Sequence, residues 1–307
     1  MNIINPHRYT QLTGTLNYID VNDRGNTYVG VWYDGSYFIV AADAGGLLTY
    51  SIDGSGNWTF EDSHHQGGDN YRLPWGDGSY IYVPRGTSGL SSYSVDGAGT
   101  LTYIDVDDQG DNYVGIYGDG TYLYAACMTG GLRSYSVDGS GNLTYVNFDD
   151  QGGDYYHVFC QNGYIFVTCD TDGLRSYSVD GAGALTHIDV DDQGGNYRGI
   201  WGDGTYLYVG CYGDGLRSYS VDGSGNLTYI DTDDQGGNYY GVWGDGLYVY
   251  VACGNNGLRS YSVDGSGNLT YVDTDYQGLA VYWDVFGSGS FLGVCCGTEG
   301  IRSYSVT

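Results

Sequence analysis

The sequence predicts an all-β protein, a seven-bladed β-propeller of four-stranded antiparallel blades whose last blade is closed by the N-terminal strand. Three observations carry that prediction. The segment Gly-Leu-Arg-Ser-Tyr-Ser-Val-Asp, at Gly215–Asp222, recurs with little change. Its first glycine falls at Gly46, Gly89, Gly131, Gly173, Gly215, Gly257 and Gly300, at intervals of 42 or 43 residues. Each interval has room for four short strands, the spacing of a propeller blade. The chain ends are fragments that complete one another: Thr15–Asp20 is a fourth strand without its first three, and Ile301–Val306 a third strand without its fourth. A solenoid would instead need polar caps at both ends.

Composition agrees. Gly supplies 55 and Tyr 36 of the 307 residues, against 3 Pro. Glycine at more than twice its usual share of about 7%, with no Gly-X-Y period, speaks for turns and not for collagen. All 10 cationic residues are Arg, and only Glu61 and Glu299 of the 37 acidic ones are Glu. The acid is therefore almost all Asp, a turn former, and not helix-forming Glu. A net charge of −27 repels nucleic acid and anionic membranes, and no apolar run approaches the roughly 18 residues of a spanning helix. The opening Met-Asn-Ile-Ile-Asn-Pro-His-Arg lacks the apolar stretch of a signal peptide. No compartment is assigned; extracellular or surface location is slightly favoured.

One unit, Asn196 to Asp231, shows each element in turn. Tyr197–Trp201 reads as the innermost strand, and Gly202-Asp203-Gly204 as a tight turn. Tyr206–Cys211 is the second strand, Leu216–Val221 the third and Leu227–Asp231 the fourth. The last two are joined by Asp222-Gly223-Ser224-Gly225-Asn226, residues that tolerate positive φ. Tyr, Val, Ile and Thr fill the strands, as a pleated surface prefers. Extended along the chain, this gives an N-terminal arm (1–14) and one propeller (15–307), with blades at about 27–62, 70–105, 112–147, 154–189, 196–231 and 238–273, and a composite blade of 281–306 plus 15–20.

Two aromatic columns should pack between blades from one face of the innermost strand. The first is Tyr28, Tyr71, Tyr113, Tyr155, Tyr197, Tyr239 and Tyr282; four residues on stand Trp32, Trp75, Tyr117, Phe159, Trp201, Trp243 and Phe286. Gly30, Gly115, Gly199 and Gly241 lie between them and keep the strands slim near the axis.

The run Asp203–Val209 (Asp-Gly-Thr-Tyr-Leu-Tyr-Val) followed by Gly215–Asp222 resembles LVIVD-type repeats and the seven-bladed lactonase-like propellers. The resemblance spans about Thr15 to Val306 and implies a seven-bladed fold. It implies hydrolysis only loosely, because propellers host unrelated functions and no catalytic motif maps onto particular residues here.

Candidate chemistry lies in the loops. Asp-x-Asp-Asp-Gln-Gly follows several fourth strands; the alternating carboxylates Asp105 and Asp107, Asp189 and Asp191, Asp231 and Asp233 resemble half a calcium loop. Gln takes the place of the third ligand, and no bidentate Glu follows, so plain Asp turns are the competing reading. No cofactor other than calcium is implied. Asn57, Asn142, Asn226 and Asn268 each open an Asn-x-Thr sequon in a hairpin. Arg133, Arg175, Arg217, Arg259 and Arg302 begin third strands and should pair with loop aspartates. Cys127, Cys169, Cys211, Cys253 and Cys296 share one position. Equivalent atoms in neighbouring blades would lie on the order of 11 Å apart, beyond the roughly 7 Å a disulfide allows, so these read as buried thiols.

No catalytic constellation emerges. The five histidines fall on no column, and the one individual cluster is His64 and His65 with Glu61 and Arg72. Near-identical blades suit multivalent contacts, so the expected function is a non-enzymatic interaction scaffold or self-assembling structural propeller, partnered by protein or by itself. A carbohydrate-binding lectin-like module is the alternative, and a lactonase-like hydrolase comes after it. The loops between second and third strands vary most. They place the expected contacts at Asp43, Thr87, Thr129, Asp172, Asp214, Asn255 and Glu299, with His64 and His65 beside them.

Overall fold

The computed structural model describes residues 13–67, 70–278 and 280–307. Of the expected N-terminal arm, all but its last two residues lies outside them, as does His7. The described chain forms seven four-stranded antiparallel sheets. β1 (Leu16–Asn22) stands apart at the start. Blade 1 then runs β2 (Gly30–Tyr33), β3 (Phe38–Ala41), β4 (Leu47–Ile52) and β5 (Trp58–His64), from axis to rim. Blades 2 to 6 repeat that order, their outer strands ending at Asp107, Asp149, Asp191, Asp233 and Asp275. Blade 7 takes its inner three strands from Asp284–Gly287, Phe291–Cys295 and Ile301–Val306, and its outer strand from β1. The register runs from Leu16 opposite Val306 to Asn22 opposite Ile301. The closure read from the complementary chain ends is present.

Blades pack by side chains that alternate in and out of each sheet. The inner-strand tryptophans sit on glycines of the next blade. Trp32 lies over Gly76, Trp75 over Gly118, Trp201 over Gly244 and Trp243 over Gly287. A Cβ at Gly118 would stand 2.6 Å from the Trp75 ring, so a tryptophan in this position needs glycine beneath it. The tyrosine column behaves differently from expectation. Tyr28, Tyr71, Tyr113, Tyr155 and Tyr282 precede the inner strands and form single bridges to a loop of the preceding blade. Tyr28 packs with Cys295 and Ile301 of blade 7, whereas Trp32 packs with Ile81 and Val83 of blade 2. The two columns therefore serve opposite neighbours and share no face. Each tyrosine hydroxyl meets that of a third-strand tyrosine, as in Tyr28–Tyr50 at 3.0 Å and Tyr113–Tyr135 at 2.7 Å.

Carboxylates tie the rim together. Asp20 accepts the Trp58 N–H, Asp62 that of Leu101, Asp105 that of Leu143, Asp189 that of Leu227, and Asp231 that of Leu269. Asp273 accepts from Leu16 and so includes the composite blade. Asn147 stands in for Asp once, accepting from Leu185 at 3.2 Å where the carboxylates stand at 2.9–3.0 Å. Among the described residues there is no helix, and hence none long and apolar enough to cross a membrane.

Candidate functional site: an axial cavity built where the repeat breaks

The inner strands begin around one mouth of the central axis, and there the repeat breaks within the strands themselves. Directly after the column tyrosines come Val29, Arg72, Val114, Tyr156, Arg198, Tyr240 and Trp283; one residue further stand Gly30, Leu73, Gly115, His157, Gly199, Gly241 and Asp284. All of these except Gly30 and Gly115 line one cavity of about 580 Å³, together with Thr27, Asp43 and Tyr212. The second aromatic column narrows the axis beneath it to a throat of about 90 Å³, and Leu73, His157 and Asp284 border both spaces. They form the cavity floor.

Glycine at the second position permits close approach between inner strands. The Gly199 N–H donates to Tyr240 O and the Gly241 N–H to Trp283 O, each at 3.0 Å. A Cβ on Gly199 would collide with that carbonyl. His157 and Asp284 occupy the same repeat position and bond the next blade by side chain instead. His157 Nδ1 accepts the Ile200 N–H at 3.2 Å, and Asp284 Oδ2 accepts the Val31 N–H at 2.9 Å. With Nδ1 accepting, the proton of a neutral His157 rests on Nε2. Burial pushes His157 down to about 4, so the ring is neutral at pH 7. Burial also raises Asp284 to about 7, against the opposing pull of the Val31 and Val285 N–H groups. A neutral imidazole donor and a carboxyl poised between its two forms thus share one floor, three blades apart.

Above the floor one side of the wall is aromatic. Tyr240 meets Trp283 at 4.5 Å between ring centroids and Tyr212 at 5.5 Å. The Arg198 guanidinium lies 3.8 Å over the Tyr156 ring and forms an ion pair with Asp170 at 3.2 Å. The opposite side carries Val29, Leu73, Val114 and Arg72. The arrangement can hold a ring-bearing molecule against aromatic faces, fix a charge with arginine and exchange a proton at the floor.

The residues singled out from sequence distribute differently. Asp43 lines the cavity; Thr87, Thr129, Asp214, Asn255 and Glu299 are exposed in the equivalent loops, and Asp172 is half-buried. His64 and His65 pack at the rim between blades 1 and 2. His64 lies 5.4 Å from the Tyr93 ring and 6.2 Å from Tyr103, and His65 lies 6.1 Å from Tyr71. Their expected grouping with Arg72 and Glu61 does not form, since Arg72 turns into the cavity and Glu61 accepts from Ser51 Oγ. Asp105, Asp189 and Asp231 are the rim clamps described above. Asp107, Asp191 and Asp233 accept from Gln109, Gln193 and Gln235. No group of three His, Cys, Asp or Glu residues suited to a metal occurs among the described residues. Asn57, Asn142, Asn226 and Asn268 are exposed, each donating through Nδ2 to the Asp that opens its hairpin.

The arginine column corrects expectation. Only Arg133 pairs with a loop aspartate, Asp111, among the described residues. Arg175 and Arg217 donate to the carbonyls of Gly152 and Gly194, and Arg259 and Arg302 to the hydroxyls of Tyr239 and Tyr282. All five lie 5.1–5.5 Å over a column tyrosine. The loop carboxylates are already engaged by N–H donors, which leaves carbonyls and rings to receive the cations. The column cysteines are buried and free; burial pushes thiols such as Cys127 and Cys169 up to about 12, which leaves them inert at neutral pH.

A seven-bladed propeller with an asymmetric axial cavity is the class this geometry defines. Solved structures agree on the fold. Virginiamycin B lyase from Staphylococcus aureus, in a catalytically inactive form with quinupristin, superposes with TM-score 0.75 at 11% identity over 95% of this chain and 99% of that one. A putative 6-phosphogluconolactonase from Bacteroides fragilis gives TM-score 0.69 at 18% identity, covering 82% and 84%. A computationally designed protein gives 0.67 at 5% identity, covering 93% and 98%. At such identities the likeness is one of fold alone. No family model matches the chain, and no curated protein matches its sequence.

Proposed function

We propose that this propeller binds a small organic molecule in its axial cavity. One observation carries the reading: the inner-strand positions at which the blades differ converge on a single cavity that combines arginine, histidine, aspartate and an aromatic wall. Uniform blades explain stability, and a ligand on the axis accounts for variation inside strands that are otherwise uniform. The cavity volume falls in the range of ligand sites, and its mostly apolar wall with a few convergent polar groups is their usual make-up. The multivalent scaffold and the lectin-like module rest on the repeated outer surface, a weaker support because repetition alone produces it.

Turnover of the bound molecule is the second reading, favoured by His157 and Asp284. An Asp284 carboxylate accepts a proton while the His157 Nε2–H donates to a developing anion, the division of labour a hydrolase or lyase requires. Two of the structural neighbours are named as lyase or putative lactonase, which is compatible with this reading.

The test is a metabolite library screened by thermal shift, followed by calorimetric titration. The expected result is a saturable ligand whose stabilisation grows with concentration and vanishes in Val114→Trp, which fills the mouth while leaving the floor intact. Ligands that stabilise the variant equally, or a library without a single binder, would refute the cavity reading. Turnover of a lactone or ester panel, lost in Asp284→Asn, would establish the second.

A further inference from the structure

The same acid–base pair occurs twice around the cavity, joined in one place and open in the other. Asp170 bridges Tyr197 and Asp43 bridges Tyr71, so the two aspartates occupy one repeat position. Arg198 follows Tyr197 and Arg72 follows Tyr71, so the two arginines occupy another. Both aspartates adopt positive φ, 34° and 43°, as do Gly86, Met128, Gly254 and Gly297 at the same repeat position, a conformation Asp tolerates better than most residues. In blade 5 the pair is joined, Arg198 to Asp170 at 3.2 Å. Beside blade 2 it is not. Neither Asp43 nor Arg72 has an ion pair among the described residues. Asp43 Oδ1 and Arg72 Nε are buried without a hydrogen bond, as Asp170 Oδ1 also is, so the ion pair with Arg198 is what distinguishes the two sites. Asp43 and Arg72 are half-buried and line the same cavity, and buried polar atoms without a partner are costly.

We infer that the open Asp43–Arg72 pair is the recognition site for a compact zwitterion of the α-amino acid class, its carboxylate on Arg72 and its ammonium on Asp43. A simple anion would satisfy Arg72 and leave Asp43 unmatched; a simple amine would do the reverse. A neutral ligand would satisfy neither in full. Both charges of an α-amino acid lie on adjacent bonds, as the neighbouring side chains require, and its side chain is free to extend across the cavity. There Tyr240 and Trp283 favour an apolar or aromatic group. Arg198 and Asp170 already hold one another as an ion pair, so the open pair is the better placed of the two to receive both charges. This inference rests on the cavity reading and specifies its ligand.

The experiment titrates the full-length protein calorimetrically with the common α-amino acids. It then adds the deaminated acid and the decarboxylated amine of the best binder, for example phenylalanine, 3-phenylpropionate and 2-phenylethylamine. The zwitterion is expected to bind at least about tenfold more tightly than either single-charge analogue, as loss of one charged hydrogen bond implies. Asp43→Asn keeps the shape and tolerates the positive φ. It should weaken the amino acid about tenfold and leave the deaminated acid within about twofold, whereas Arg72→Gln should weaken both. Equal affinity for the deaminated acid, or indifference to Asp43→Asn in a variant that melts as the parent does, overturns the zwitterion and leaves the cavity reading standing. Binding by none of the amino acids also overturns it, and the library screen with Val114→Trp then decides the cavity on its own.

Discussion

Asp284 offers a measurement that reads the cavity floor directly. The residue is 6% exposed, and burial raises its carboxyl from 3.8 to about 7. At about 1.4 kcal/mol per pKa unit, this corresponds to roughly 4 kcal/mol as an upper bound. The direction follows from linkage: the native state holds this proton more tightly than the unfolded chain does. The site costs nothing below pH 4, costs more with each unit up to pH 7, and is constant beyond. Asp284→Asn removes the ionisation while its Oδ1 still accepts the Val31 N–H. The variant should match the parent at pH 4 and exceed it by a few kcal/mol at pH 8, or about 4–8 °C in melting temperature for a chain of this size. His157 contributes an opposite slope, losing stability as pH falls from about 6.5 to 4, but it is common to both proteins and cancels in their difference. Melting curves at half-unit steps from pH 4 to 8.5 supply the comparison. A difference that stays flat, or that grows toward acid, would refute the argument that Asp284 is desolvated on the floor.

The rim clamps give a paired test: Asp189→Ala strips the acceptor from the Leu227 N–H and should cost about 1–3 kcal/mol, whereas Asp191→Ala loses only an exposed Gln193 contact and should stay within about 0.5 kcal/mol. Equal losses by urea denaturation would remove the clamp from the account. Deleting residues 1–22 should lower the melting temperature by more than about 10 °C, because it uncovers blade 7 and breaks both rim bonds of β1; an unchanged midpoint would refute closure by that strand. Melts at matched ionic strength in millimolar calcium and in excess chelator should coincide, since Asp105, Asp189 and Asp231 already serve backbone donors. A calcium-dependent rise abolished by Asp107→Asn and Asp191→Asn would instead make the loops ion sites.

Much of the architecture is legible in the sequence because repetition exposes it. The third-strand octapeptide fixes the number of blades, and the offset between Leu16 and Ile301 fixes how the ring shuts. The cavity is less legible for the same reason. A consensus averages away His157 and Asp284, which are exceptions to a glycine column, and Arg72 and Arg198, which stand where other blades have valine, tyrosine or tryptophan. The usable signal was the two residues after each column tyrosine: variable side chains inside an otherwise uniform strand. The loops between second and third strands also vary, but most of their side chains face solvent, and only Asp43 and Tyr212 reach the axis. Partner choice escaped as well. Nothing in the spacing of Arg175 or Asp189 shows that the aspartate would be taken by a neighbouring N–H and the arginine by a carbonyl.

The composite blade has a consequence for synthesis. β1 is made before blades 1 to 6, yet its partner strand, Ile301–Val306, is made after them. While those blades are made β1 waits with an open edge, surrounded by six third strands of nearly its partner's sequence. Blades 1 to 6 are protected because each third strand is joined to its own outer strand by a short hairpin, which closes far faster than a segment arriving from a distance. Blade 7 has no such local competitor, and at high concentration its gap is equally open to the first strand of another chain. Joining the termini, where the Thr13 N–H already donates to Thr307 O at 2.7 Å, and opening the chain in another hairpin would give every blade a local fourth strand. Such a permuted protein should refold with less exchange between chains.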